Sequence, residues 1–125
     1  MPDIQRVTPE TADDAAETPA LSRQQIFSDD DVRILRARMG PDTTSGWHHH
    51  NDNDNYVFFA AGEARVEFVT DDGSIEERRF TAGEFMYVPP RVVHRDVNPA
   101  DEEQIAVLAL IGDDPVVTNV EDPTG

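Results

Sequence analysis

The chain has 125 residues, 26 of them acidic and 10 basic, for a formal net charge of −16. All ten basic residues are arginine, and lysine and cysteine are both absent. This excludes disulfides, thiolate metal ligands and the continuous basic stripe that nucleic acid or an anionic membrane requires. The length suits one domain with a single sizeable core. A metal in such a domain has only imidazole, carboxylate, amide or water to hold it, a donor set open to Fe, Mn, Ni, Co, Zn and Cu alike.

Residues 1–20 are polar, acidic and proline-bearing. With the next few residues they read as an N-terminal arm over 1–23, flexible or ordered only against a partner. The strand-like part runs from 24 to 120 and leaves 121–125 as an acidic tail. Residues 24–28 (QQIFS) are a short strand and Asp29-Asp30-Asp31 a turn. In 32–39 (VRILRARM), Leu35, Ala37 and Met39 fall on one face and Arg36 and Arg38 on the other, the period of a strand. A helix is the rival assignment there, because arginine, leucine and alanine are good helix formers. Gly40-Pro41 stops either one.

Strand-like runs follow at 47–50, 56–60, 64–70, 75–81, 85–88 and 92–97, punctuated by Ala61-Gly62, Asp71-Asp72-Gly73, Ala82-Gly83 and Pro89-Pro90. The apolar run 104–111 (QIAVLALI) reads as a central strand buried on both faces. The turn-rich segment after it offers at most a short strand at Val116-Val117. Nine prolines and seven glycines divide the chain into short strands, which predicts an all-β sandwich or barrel.

Three of the four histidines are consecutive, His48-His49-His50, and the fourth is His94. On a strand, His48 and His50 share a face and His49 takes the other. A fold that returns His94 to that face makes a three-nitrogen metal site. A histidine triplet alone is more often a solvated accident than a ligand set. The surrounding pattern is what makes it specific: Gly83, Pro89, His94 and Asn98 after it, with Asn55 and Gly62 following the pair at fixed spacing.

These residues resemble the cupin superfamily, whose two motifs are G-x5-H-x-H-x(3,4)-E-x6-G and G-x5-P-x-G-x2-H-x3-N. The second matches at Gly83, Pro89, His94 and Asn98, with Arg91 where glycine is usual. The first matches at His48, His50 and Gly62, with Asn55 where glutamate is usual and Gly46 displaced toward His48. The resemblance spans about residues 46–98. It implies a double-stranded β-helix, or jelly-roll barrel, with His48, His50 and His94 holding one divalent transition metal (Fe, Mn, Ni, Zn or Co). Asn55 then stands as fourth ligand or behind the ligands, and Asp54 or Asp52 replaces it if the loop register slips by one.

Three-histidine iron members of that superfamily are dioxygenases of thiols or diketones, so the leading expectation is a small-molecule metalloenzyme of dioxygenase type. The alternatives are a non-redox isomerase or lyase, and a non-catalytic binding module. Trp47, Tyr56, Phe58, Tyr87, Arg91 and Asp96 are candidate pocket residues; Phe68, Phe85 and Arg95 also lie near the motifs. For most of these aromatics, packing in a small barrel is the simpler role. Arg91 and Arg95 can anchor a carboxylate bidentately, and pairing with the many surface acids is the simpler role for them. Asp96 can orient an imidazole. Small cupins commonly pair, which implies a homodimer. The absence of a leader or an apolar run of membrane-spanning length predicts a soluble, cytoplasmic protein. Abundant carboxylate without lysine predicts halophilic behaviour.

Overall fold

The computed structural model describes residues 2–124, so Met1 and Gly125, the ends of the expected arm and tail, lie outside the described residues. Regular structure consists of β1 (Asp13–Asp14), β2 (Ser22–Ser28), β3 (Val32–Met39), β4 (Thr43–Thr44), β5 (His48–His49) and β6 (Asp54–Ala61). It continues with β7 (Glu63–Val69), β8 (Ile75–Thr81), β9 (Phe85–Val88), β10 (His94–Asn98), β11 (Gln104–Ile111) and β12 (Thr118–Asn119). The rival helix over 32–39 does not form: those residues are β3. Among the described residues no helix is long and apolar enough to cross a membrane.

Two antiparallel sheets face each other as a jelly-roll barrel. One runs β1-β2-β3-β11-β6-β9 and the other β12-β5-β10-β7-β8, with β4 beside β10. The core between them comes from inward positions two residues apart: Leu35, Ala37 and Met39 of β3, Val57 and Phe59 of β6, and Ala106, Leu108 and Leu110 of β11. Leu35 and Leu110 are completely buried, and truncating either to alanine costs about 2–5 kcal/mol by lost burial and the cavity left behind.

Strand β11 corrects one expectation. It is central in its sheet, but its burial alternates, with Val107 and Ile111 each 38% exposed on the outer face. A sandwich sheet covers only its inner face, so an unbroken apolar run here marks a central strand without marking burial on both sides. The short terminal strand also falls two residues later than expected, at Thr118–Asn119.

The expected boundary at residue 24 falls inside β2. Within the expected arm, Asp13 and Asp14 pair with Gln25 and Gln24, Ala15 N donates to Arg23 O at 2.8 Å, and Thr18, Leu21 and Arg23 are buried. The alternation of Leu21 and Arg23 carries the strand face back into this segment.

Asn98 and Gly62 hold the barrel around the site. Asn98 is completely buried, and its Nδ2 donates to Gly40 O at 3.0 Å and Glu102 O at 2.8 Å, tying β10 to the ends of two other segments. Gly62 has φ +82°, and a Cβ there would lie 2.8 Å from Glu103 O, so only glycine fits the turn between β6 and β7.

Candidate metal centre

Strand register assembles the three histidines. His48 on β5 is the direct antiparallel partner of His94 on β10, and His50 follows two residues along on the same face. Directly opposed residues bring their Cβ atoms to about 5 Å. The ring centroids of His48 and His94 lie 4.3 Å apart, and His50 is 5.3 Å from the first and 5.2 Å from the second. All three side chains are buried, and their ligand atoms lie within 4.8 Å of one another.

Each ring is oriented by a backbone carbonyl. Nδ1 of His48 bonds Gly46 O at 2.9 Å, Nδ1 of His50 bonds Val116 O at 2.8 Å, and Nδ1 of His94 bonds Val92 O at 2.9 Å. A carbonyl only accepts, so every Nδ1 carries its proton and every neutral ring presents an Nε2 lone pair to the interior. Burial holds His48 and His50 well below the ordinary imidazole range, and the neighbouring histidines and Arg23 push in the same direction. They stay unprotonated, as metal ligands must.

Asn55 points into the same space. It is 2% exposed, and its Oδ1 has no hydrogen-bond partner among the described residues; nor has Nε2 of His48. Four buried acceptors thus converge with nothing donated to His48 Nε2 or Asn55 Oδ1. A divalent cation satisfies both and fits the all-nitrogen-and-amide donor set.

Asp54, the alternative carboxylate, is the preceding residue on β6 and turns the other way, accepting a hydrogen bond from Tyr87 Oη at 2.6 Å. Asp52 is exposed and paired with Arg91. Asp96 does reach the site: its Oδ2 lies 3.6 Å from His48 Nε2. His49 faces away, half-buried, its Nδ1 accepting from the backbone N–H of Asn51 at 3.0 Å.

The histidines, Asn55 and Asp96 line a small interior cavity with Arg23, Gln104, Met86 and apolar side chains of the core. Its volume, counted at the centres of water-sized molecules, is about 30 Å³. One water needs roughly 10–15 Å³ on that measure, so the cavity takes a metal ion and a few ligand atoms. Beside it lies a more open cleft of about 540 Å³, lined by Val66, Phe68, Phe80, Tyr87 and others. His94 and Met86 line both spaces and form the partition between them. A larger depression of about 660 Å³ at Glu17–Ser22 and Arg38 contains none of the histidines.

The remaining candidates stand elsewhere. Tyr56 and Phe58 project from the outer face of the first sheet, where Tyr56 stacks on Tyr87 at 4.9 Å and Phe58 lies against Phe85 at 4.9 Å. Tyr87 also edges the cleft but not the interior cavity. These aromatics fall outside because Asn55, Val57 and Phe59 hold the inward positions of β6. Trp47 is buried under Arg95, whose guanidinium carbon sits 4.8 Å from its ring centroid and whose Nε pairs with Glu67 at 2.5 Å.

Arg91 lies at the surface with φ +62°, the conformation for which the motif keeps glycine; it donates Nε to Asp52 Oδ1 at 2.7 Å. The motif departure therefore changes the residue without changing the turn. Arg23, Gln104 and Met86 are site residues that the motifs do not contain. The one sequence signal for Arg23 is its spacing of two from Leu21, which assigns both to one strand face.

Comparison with known proteins agrees with this geometry. A family model described as the cupin domain matches residues 35–111. No curated protein matches the sequence. Among solved structures, an oxalate decarboxylase of Bacillus subtilis studied for its Mn(II) centres aligns with a TM-score of 0.75 at 18% identity, over 86% of this chain and 30% of that one. A structure from work on oxalate oxidase gives 0.76 at 17% identity, over 93% and 63%. Peruvianin-I, described as a cysteine peptidase from Thevetia peruviana latex, gives 0.72 at 18% identity, over 82% and 68%. The chain thus spans about a third of the decarboxylase, and likeness at this identity speaks for the fold. Family model, strand order and the paired histidine motifs together make the chain a member of the cupin family.

Proposed function

We propose that the chain is a small-molecule metalloenzyme of dioxygenase type, with His48, His50 and His94 holding one divalent transition metal and Asn55 completing or flanking the ligand set. The observation that carries this reading is the convergence of three oriented Nε2 lone pairs and an unpartnered amide oxygen on one buried space. Bound there, an ion such as Fe or Mn supplies Lewis acidity and redox chemistry with O2. The protein's own contribution is to fix the three rings through backbone carbonyls and to exclude bulk water. It also sets a carboxylate beside the rings, Asp96 Oδ2 lying 3.6 Å from His48 Nε2.

The likeness to oxalate-acting proteins supports metal chemistry on a small molecule, and the size of the interior cavity favours that over a flavonol. The peptidase activity named for peruvianin-I has no basis here, because the sequence contains no cysteine. Asp96, a carboxylate beside the ligands, favours a second reading: proton transfer by a non-redox isomerase or lyase.

After loading with Fe(II), O2 uptake in step with loss of a small chelating substrate is the expected result. Anaerobic turnover with Mn or Zn would favour the second reading, and metal binding without any turnover would leave a binding module. The chain is further proposed to form a homodimer. The aromatic pairs on β6 and β9 support this, with Tyr56 and Tyr87 stacked and exposed and Phe85, tilted against half-buried Phe58, at 73% exposure. Sedimentation equilibrium of the wild type and of Phe85→Glu tests it, the variant being expected to dissociate.

A further inference from the structure

Arg23 is 1% exposed, sits on the inward face of β2 and lines the cavity that contains the three histidines. Its Nη1 donates to Ala16 O at 3.1 Å and to Thr18 Oγ1 at 3.0 Å, which fixes the plane of the guanidinium. Nε and Nη2 have no hydrogen-bond partner among the described residues. Those two nitrogens form one edge of the guanidinium, and elsewhere in this chain the same edge takes a carboxylate. Arg91 places Nε and Nη2 on the two oxygens of Asp52, and Arg38 places the same pair on Glu103.

Leaving a buried cation with three of its five N–H donors unsatisfied is unfavourable. Burial lowers the Arg23 pKa to about 10, with the charge of Asp96 opposing that shift, so the group remains a cation at neutral pH. A divalent ion on neutral imidazole and amide donors would add two positive charges to the one on Arg23, against the single negative charge of Asp96. The excess calls for an anion, and the empty Nε/Nη2 edge matches a planar acceptor with two oxygens.

We propose that Arg23 is the anchor of a small carboxylate ligand in the interior cavity. That this carboxylate belongs to the substrate rests on the metalloenzyme reading above; the anion site itself requires only Arg23. A cavity of about 30 Å³ limits the ligand to a compact acid and excludes an aromatic one.

The test uses formate as probe, titrated calorimetrically in chloride-free buffer into the full chain, metal-free and loaded with Mn(II). Metal content is measured in parallel. Formate is expected to bind the wild type, and Arg23→Gln is expected to weaken it at least tenfold while the metal content stays unchanged. Equal formate affinity in Arg23→Gln would overturn the proposal, as would chloride displacing formate at equal concentration. If Arg23→Gln fails to fold, the wild type decides through the slowly exchanging Nε–H resonance of its buried arginine. A shift of that resonance with formate upholds the site, and no shift overturns it. A chain that takes up no metal yet shows the formate shift retains the anion site and loses the metalloenzyme reading, so the two fail separately.

Discussion

Asn55 puts a neutral amide where the motif has glutamate, and aspartate would restore the charge in nearly the shape of asparagine, so Asn55→Asp isolates the electrostatic part of that departure. Its Oδ1 is buried and unpartnered, which leaves it free to face a cation. Asn55→Asp should therefore tighten Mn(II) binding roughly tenfold or more, as measured by competition with a chelator; unchanged affinity would place residue 55 outside the ligand sphere. His48 and His50 give a pH signature in the metal-free protein. Burial lowers both pKa values below the ordinary 6.5. Below that pH the unfolded chain binds protons that the folded one refuses. Their contribution is fully present above pH 6.5 and is lost as pH falls toward the depressed values, by up to about 1.4 kcal/mol per pH unit for each ring. Urea midpoints between pH 7.5 and 5.5 should fall less steeply in His50→Asn than in the wild type, and parallel curves would contradict the buried, neutral assignment.

Register between elements makes the site, because pairing of His48 with His94 brings together residues 46 positions apart in sequence. A slip of one residue would turn His94 to the other face. Asn98 guards that register from the far end of β10, with no contact to the histidines among its hydrogen bonds. Asn98→Ala should lower stability by roughly 2–3 kcal/mol, since it leaves buried carbonyls unsatisfied. Metal content per folded molecule should persist, as read by thermal unfolding and metal analysis; loss of metal without loss of stability would contradict this role. The strand pattern and the histidine pairing were legible in the sequence because alternation and motif spacing report which side chains share a face. Arg23 was faintly legible, through its spacing of two from Leu21 alone: it lies at the end of a polar, acidic stretch whose composition suggests an arm, and pairing of its strand with β3 and β1 turns it inward. That Tyr56 and Phe58 turn outward was not legible, since aromatic residues suit a strand on either face.

At the scale of the whole molecule, the excess of 16 negative charges opposes compaction through self-repulsion. Several arginines are already committed to ion pairs with Asp52, Glu67, Glu77 and Glu103, which leaves most carboxylates to be screened by counterions. Raising KCl from 0.1 to 2 M should increase the unfolding temperature. A flat or falling response would count against a salt-adapted surface.

The same acidic chain contains, in its interior, a positively charged arginine beside three histidines and an unpartnered amide oxygen, and the metalloenzyme reading depends on those groups holding an ion. Metal analysis after Mn(II) or Fe(II) loading and desalting, on the wild type and on His94→Ala, tests this most directly. About one equivalent per chain in the wild type and near none in the folded variant is the predicted result. Equal metal content in the two proteins would contradict a centre built on His48, His50 and His94.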